Sequence, residues 1–154
     1  MNERWIGILG GGQLGRMLAL AGYPLGLRFR IYDPDPHAPA GMLAEHIAAA
    51  YDDVDALHRF VQGLEVVTYE FENVPVQTAQ QLQQQCPVYP PPVALEKAQD
   101  RLVEKQFFQQ VGIPTPLFAA VASLDELEAA IGQVGGLPAV LKTRRWGYDG
   151  KGQV

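Results

Sequence analysis

Along the first two thirds of the chain the apolar residues alternate between two periods: short β-rich runs, and stretches where an apolar side chain returns every three or four positions. Trp5-Ile6-Gly7-Ile8-Leu9 predicts a first strand, and Leu14, Met17, Leu18 and Ala21, at helical spacing, predict a helix over 14–20. Residues 27–32 predict a second strand and 46–51 a third. A short helix follows over 54–61, with Leu57, Phe60 and Val61 turned inward, and then a fourth strand over 64–69. Pro75 opens the next helix, where its missing N–H costs nothing, and Pro87-Val88-Tyr89 is a candidate short fifth strand. Such alternation predicts an α/β fold, a parallel sheet with helices on both faces.

The pattern changes after Pro90-Pro91-Pro92, because three fixed φ angles and three missing donors can continue neither a helix nor a central strand. This sets a boundary, with a first domain over 1–92 and a second part over 93–154. In the second part, residues 94–111 predict one or two helices and 112–116 a loop. Ser123 with Glu126 three residues on matches a capping box for a helix over 123–131. Residues 137–142 predict a strand, and 146–152 a glycine-rich turn whose returning strand is expected to be absent from these residues.

Charge and composition narrow the picture. The chain has 154 residues, 47% of them hydrophobic, 19% charged, with a formal net charge of −5; that is a folded domain, and not the basic footprint of a nucleic-acid binder. Cys86 is the single cysteine, so there is no intrachain disulfide and no zinc or redox pair, which fits a reducing cytosol. The run from Trp5 to Leu9 is too short for a signal-peptide core, and no apolar stretch is long enough to span a bilayer. His37, His46 and His58 share no ligand spacing.

Gly10-Gly11-Gly12-Gln13-Leu14-Gly15 stands between a predicted strand and a predicted helix, where glycines permit a tight turn and leave helix-start N–H groups free to meet an anion. A purely structural turn would use the same small residues. Asp33 is placed like the ribose-binding acid of a dinucleotide domain, yet Asp33-Pro34-Asp35-Pro36 is also a turn sequence in which aspartate bonds locally. Glu70 begins the segment Glu70-Phe71-Glu72-Asn73-Val74-Pro75 at the carboxyl end of the fourth strand, which in the common doubly wound order lies beside the first strand. Glu70 and the glycine turn are therefore expected at one site, with Glu72 or Asn73 open to a capping role. Lys142 and the turn Gly147-Tyr148-Asp149-Gly150-Lys151-Gly152-Gln153 could fold over a polyphosphate, or be a hairpin turn with exposed charges.

Four segments taken together, 8–17, 69–75, Asp100-Arg101 with Lys105, and 147–153, resemble the ATP-grasp enzymes that carboxylate aminoimidazole ribonucleotide, the 5-(carboxyamino)imidazole ribonucleotide synthases. The resemblance implies a Rossmann-like pre-ATP-grasp sheet followed by the start of an ATP-grasp domain. It implies a carbon–nitrogen ligase of purine biosynthesis in which ATP, bicarbonate and aminoimidazole ribonucleotide react by way of carboxyphosphate. Arg101 and Lys142 match nucleotide-binding positions, and Gly147, Tyr148, Asp149, Gly150, Lys151, Gly152 and Gln153 match the phosphate loop. Gln13, Leu14 and Glu70 match ribonucleotide-contacting positions. Family members are longer. Their Mg²⁺ ligands are expected in a following portion, so no metal or catalytic residue is assigned here, and these 154 residues are expected to be inactive alone. The family is cytoplasmic and commonly homodimeric, with no nucleic-acid or membrane partner implied. Two other readings stay open on the residues: an NAD-dependent oxidoreductase built on Asp33, and a noncatalytic ribonucleotide-binding module.

Overall fold

Four parallel strands in the order β3-β2-β1-β4 form the sheet of the computed structural model, which describes residues 4–147 and 150–154. They are β1 (Arg4–Leu9), β2 (Leu27–Tyr32), β3 (Glu45–Ile47) and β4 (Val66–Tyr69). Ile8 stands opposite Ile31 on one side and Thr68 on the other, so β1 is central and adjoins β4, as the doubly wound order requires. Val88 extends the sheet by a single parallel bridge to Val67, which is what becomes of the candidate fifth strand. The chain divides into two compact units, Met1–Glu96 and Lys97–Val154.

Alternation along the strands sends side chains to two separate cores. On one face Ile8, Phe29 and Ile31 pack with Ala19 of α1 (Gln13–Gly22) and with Ala40 of a 3-10 turn over Pro39–Met42. On the other, Leu9, Tyr32 and Val67 pack with Leu57 and Phe60 of α2 (Val54–Val61), with Leu82 of α3 (Val76–Gln83), and with Leu95 of α4 (Pro92–Ala98). Helices thus cover both faces.

The predicted helix forms as α1, but its apolar period does not mark its buried face. Leu14, Met17 and Leu18 are 55%, 62% and 44% exposed, and the buried face is Gly15, Ala19 and Gly22. The reason is close approach: a Cβ on Gly15 would lie 2.8 Å from the Gly10 carbonyl oxygen, and one on Gly22 would overlap the Phe29 ring. Only small residues fit that distance, so the large ones are turned out. β3 is also shorter than the predicted 46–51. Its partner β2 ends at Tyr32, just before Asp33-Pro34, and the last ladder pair is Tyr32 with Ile47. β4 begins at Val66 instead of residue 64. Pro75 is the N-cap of α3, with no capping side chain, so neither Glu72 nor Asn73 takes that role.

Beyond the proline triplet the long helical stretch is two helices, α4 and α5 (Arg101–Gln110), separated at Gln99-Asp100. The Asp100 carboxylate accepts from the Leu102 and Val103 amides, satisfying two of the donors left open at a helix start. The capping box predicted at Ser123 does not form. Glu126 reaches back to the Ala122 amide at 2.8 Å, Ser123 makes no side-chain cap, and a 3-10 turn over Leu124–Glu126 precedes α6 (Leu127–Gln133). Residues 137–142 do not form the predicted strand. The expected absence of a return from the glycine turn is corrected: Lys142 bridges Gln153, and amide–carbonyl pairs join Leu141 to Val154 and Thr143 to Gly152, so the return does begin. Ile113, Leu117, Val140, Leu141 and Trp146 are exposed.

Candidate functional site

β1 delivers the chain to the carboxyl edge of the sheet, where Gly10 turns it with φ +94°, a backbone state that L side chains rarely adopt. Glu70, one residue past β4, lies directly on this turn. Its amide donates to the Leu9 carbonyl at 3.1 Å, and its Oε1 accepts from the Gly12 amide at 3.1 Å. A Cβ on Gly12 would come within 2.8 Å of that oxygen, so the glycine is what admits the carboxylate. Glycine turn and Glu70 are brought together, as the strand order implied.

Two of the turn's donors are not open to an outside anion. Gly12 N–H meets Glu70, and Gly11 N–H donates to Asp33 Oδ2 at 2.6 Å. The same polar N–H groups that attract phosphate attract a nearby carboxylate. Asp33 Oδ1 also accepts from the Asp35 amide at 2.8 Å, so Asp33 is a turn and loop anchor, and the dinucleotide reading loses its ribose acid. Donors at the start of α1, which has Gly12 as N-cap and no capping side chain, are left for a ligand. Gln13 and Leu14 occupy this first turn and are exposed.

Burial pushes the Glu70 carboxyl above its ordinary pKa; the Gly12 hydrogen bond opposes this, and the charges of Asp33 and Glu72 add to it. A carbon-detected NMR titration should place Glu70 above the usual glutamate value of about 4.3. Glu72→Gln, which removes an exposed like charge without touching the Gly12 bond, should bring it down; no downward movement would remove Glu72 from the account. Tyr51 is a neighbour that sequence reasoning missed, having read it as the end of a strand. Its hydroxyl is buried without a hydrogen-bond partner among the described residues. Burial first, and then the charges of Asp33 and Glu70, push its pKa up. Orphaned polar groups of this kind are signals that only coordinates supply.

The second unit builds its own cluster. Arg101, first residue of α5, donates from Nη2 to the Gly147 carbonyl at 3.2 Å and from its amide to the Arg144 carbonyl at 2.9 Å. Gly152, at φ +71°, lets the return strand pass so close to Thr143 that a Cβ would lie against the Thr143 hydroxyl. Lys142, Lys151 and Gln153 are exposed around this hairpin, with Gly150 in its turn. Arg101 is therefore brought to the glycine loop by direct bonds. Tyr148 and Asp149 lie outside the described residues. Lys105 stands over the Phe118 ring, 5.5 Å from its centroid.

Among the described residues no group of three His, Cys, Asp or Glu side chains could hold a metal ion. Asp100, the buried acid nearest the loop, is saturated by Arg144 and two amides. The described residues do not make a Mg²⁺ site. Among the described residues no helix is long and apolar enough to cross a membrane.

A parallel sheet with a glycine turn and an acid at its carboxyl edge defines the class of nucleotide-binding α/β domains. Residues 3–99 match the family described as Ribonucleotide synthetase preATP-grasp domain, and the chain belongs to that family. Residues 106–154 match the ATP-grasp domain. N5-carboxyaminoimidazole ribonucleotide synthase of Pseudomonas aeruginosa is 55% identical over 148 residues, 96% of this chain and 41% of that protein. The crystal structure of N5-carboxyaminoimidazole ribonucleotide synthetase from Thermus thermophilus is 58% identical with a TM-score of 0.86, covering 97% of this chain and 39% of that one. N5-carboxyaminoimidazole synthetase from Staphylococcus aureus complexed with ADP is 39% identical with a TM-score of 0.91, covering 98% and 40%. The chain spans about two fifths of the length of these relatives.

Proposed function

We propose that this chain is the amino-terminal part of an ATP-grasp carbon–nitrogen ligase. The complete enzyme carboxylates aminoimidazole ribonucleotide with bicarbonate through carboxyphosphate, consuming ATP with Mg²⁺ in purine biosynthesis. Residues 1–92 are its substrate-binding domain, and 93–154 are linker helices and an incomplete ATP-grasp subdomain. Gln13, Leu14 and Glu70 contact the ribonucleotide. Arg101, Lys142 and the loop Gly147, Tyr148, Asp149, Gly150, Lys151, Gly152 and Gln153 contact ATP. The full-length enzyme is a cytoplasmic homodimer acting on small molecules, without nucleic-acid or membrane partners.

The observation that carries this reading is the Arg101–Gly147 bond, which ties a helix-start guanidinium to a glycine loop flanked by Lys142 and Lys151. Phosphoryl transfer asks for positioned charge more than for covalent help, and Arg101, Lys142 and Lys151 supply cations around this loop. The exposed apolar residues of the second unit support an unfinished subdomain. Phosphate release from ATP, dependent on both bicarbonate and aminoimidazole ribonucleotide, should be measurable for the full-length protein and absent for these 154 residues. Turnover by the short chain, or none by the long one, would count against the proposal.

A further inference from the structure

Asp100 is the only charged residue among the described residues in the buried set, and it lies in the unit with the least buried surface. Its Oδ1 accepts from the Leu102 amide at 2.9 Å, the Val103 amide at 3.4 Å and Arg144 Nε at 3.0 Å, and its Oδ2 from Arg144 Nη2 at 2.6 Å. Arg145 Nε stands 3.8 Å away. One carboxylate therefore caps a helix and clamps, in bidentate geometry, a guanidinium 44 residues further along.

The Arg144 side chain is 58% exposed, so water screens its attraction to Asp100 and the pair adds little net stability; what such a pair can fix is one arrangement over others. The arrangement fixed here is specific. Arg144 is held by its side chain to Asp100 and by its carbonyl to the Arg101 amide, and three residues on, the Gly147 carbonyl accepts from the Arg101 guanidinium. On the other side of Arg144, Thr143 pairs with Gly152. The glycine loop is thus pinned at its base by the same helix start that presents Arg101.

We infer that Asp100 is a positioning residue for the nucleotide: by capping α5 and clamping Arg144 it sets the glycine loop against Arg101 before ligand arrives, without itself touching ATP. This rests on the nucleotide reading above. Burial pushes the Asp100 carboxyl up, but the bonds from Arg144 and the Leu102 and Val103 amides outweigh it and hold it below the usual carboxylate range. The clamp is accordingly ionised at neutral pH.

The test uses the full-length enzyme and ADP as the probe. Asp100→Ser keeps a capping oxygen for α5 but cannot reach Arg144. Arg144→Lys keeps the charge and the cap but loses the two-pronged geometry. Each should weaken ADP binding about tenfold or more and raise KM for ATP, leaving KM for aminoimidazole ribonucleotide within about twofold. The double variant should be no worse than the poorer single one, since both break one clamp. Hydrogen exchange at the Leu102 and Val103 amides should stay near wild type in Arg144→Lys, which separates clamping from helix capping if Asp100→Ser fails to fold. ADP affinity within about twofold of wild type in Arg144→Lys, or losses that multiply in the double variant, would overturn the inference. Absence of ADP binding by the wild-type enzyme would instead overturn the nucleotide reading itself.

Discussion

Phe60→Ala is expected to cost the first unit about 3–5 kcal/mol, the usual toll for emptying a large aromatic site in a packed core. Phe60 is fully buried, meets the Tyr32 ring edge-on with centroids 5.3 Å apart, and lies where a Cβ on Gly7 would come within 2.7 Å of it. Leu57, Val67 and Leu82 of the same core are themselves fully buried, so the surroundings relax only in part. Domains of this size are stable by roughly 5–15 kcal/mol in total, so the loss is a large share. The melting temperature of the variant should fall by roughly 15 °C or more. Phe60→Leu, which keeps most of the volume, should cost far less. A fall of only a few degrees in the alanine variant would mean that α2 is not packed on the sheet as described.

How much of this was legible beforehand depended on what the signal measures. Strand order and the meeting of Glu70 with the glycine turn could be read, because both follow from parallel α/β connectivity and from where strands end. The buried face of α1 could not. Periodicity finds large apolar residues, whereas the contact with the sheet is made by Gly15, Ala19 and Gly22, chosen for smallness; Leu14, Met17 and Leu18 gave a true helical period on the wrong side. The extent of β3 depended on where β2 lost its register, which its own residues do not state. Asp33 was readable both as a ribose acid and as a turn residue, and only its bonds to Gly11 and Asp35 decided between them. Asp100 just before a helical run is a cap signal in principle, but its bond to Arg144 joins positions far apart, and no local pattern announces such a pair.

Lys142→Ala should weaken ATP binding to the full-length enzyme about a hundredfold while leaving the fold intact. The two halves of this expectation come from different parts of the residue. Its backbone is held in the hairpin by the bridge to Gln153, with Leu141–Val154 and Thr143–Gly152 pairs on either side, and none of these needs the side chain. The side chain is exposed beside the loop, so removing it uncovers no cavity, and the melting temperature should hold within about 2 °C. A charge-assisted bond to phosphate is worth about 1.5–3 kcal/mol, and each 1.4 kcal/mol is a factor of ten in affinity, which at the upper end of that range brings the loss to roughly 10²-fold. Because the interaction is an exposed ionic one, the difference between wild type and variant should narrow as salt is raised. Arginine at the same position would keep the charge but not the compact ammonium, and should recover only part of the affinity. Equal ATP affinities for wild type and Lys142→Ala at low ionic strength would place the phosphates elsewhere, and with them the role of the glycine loop.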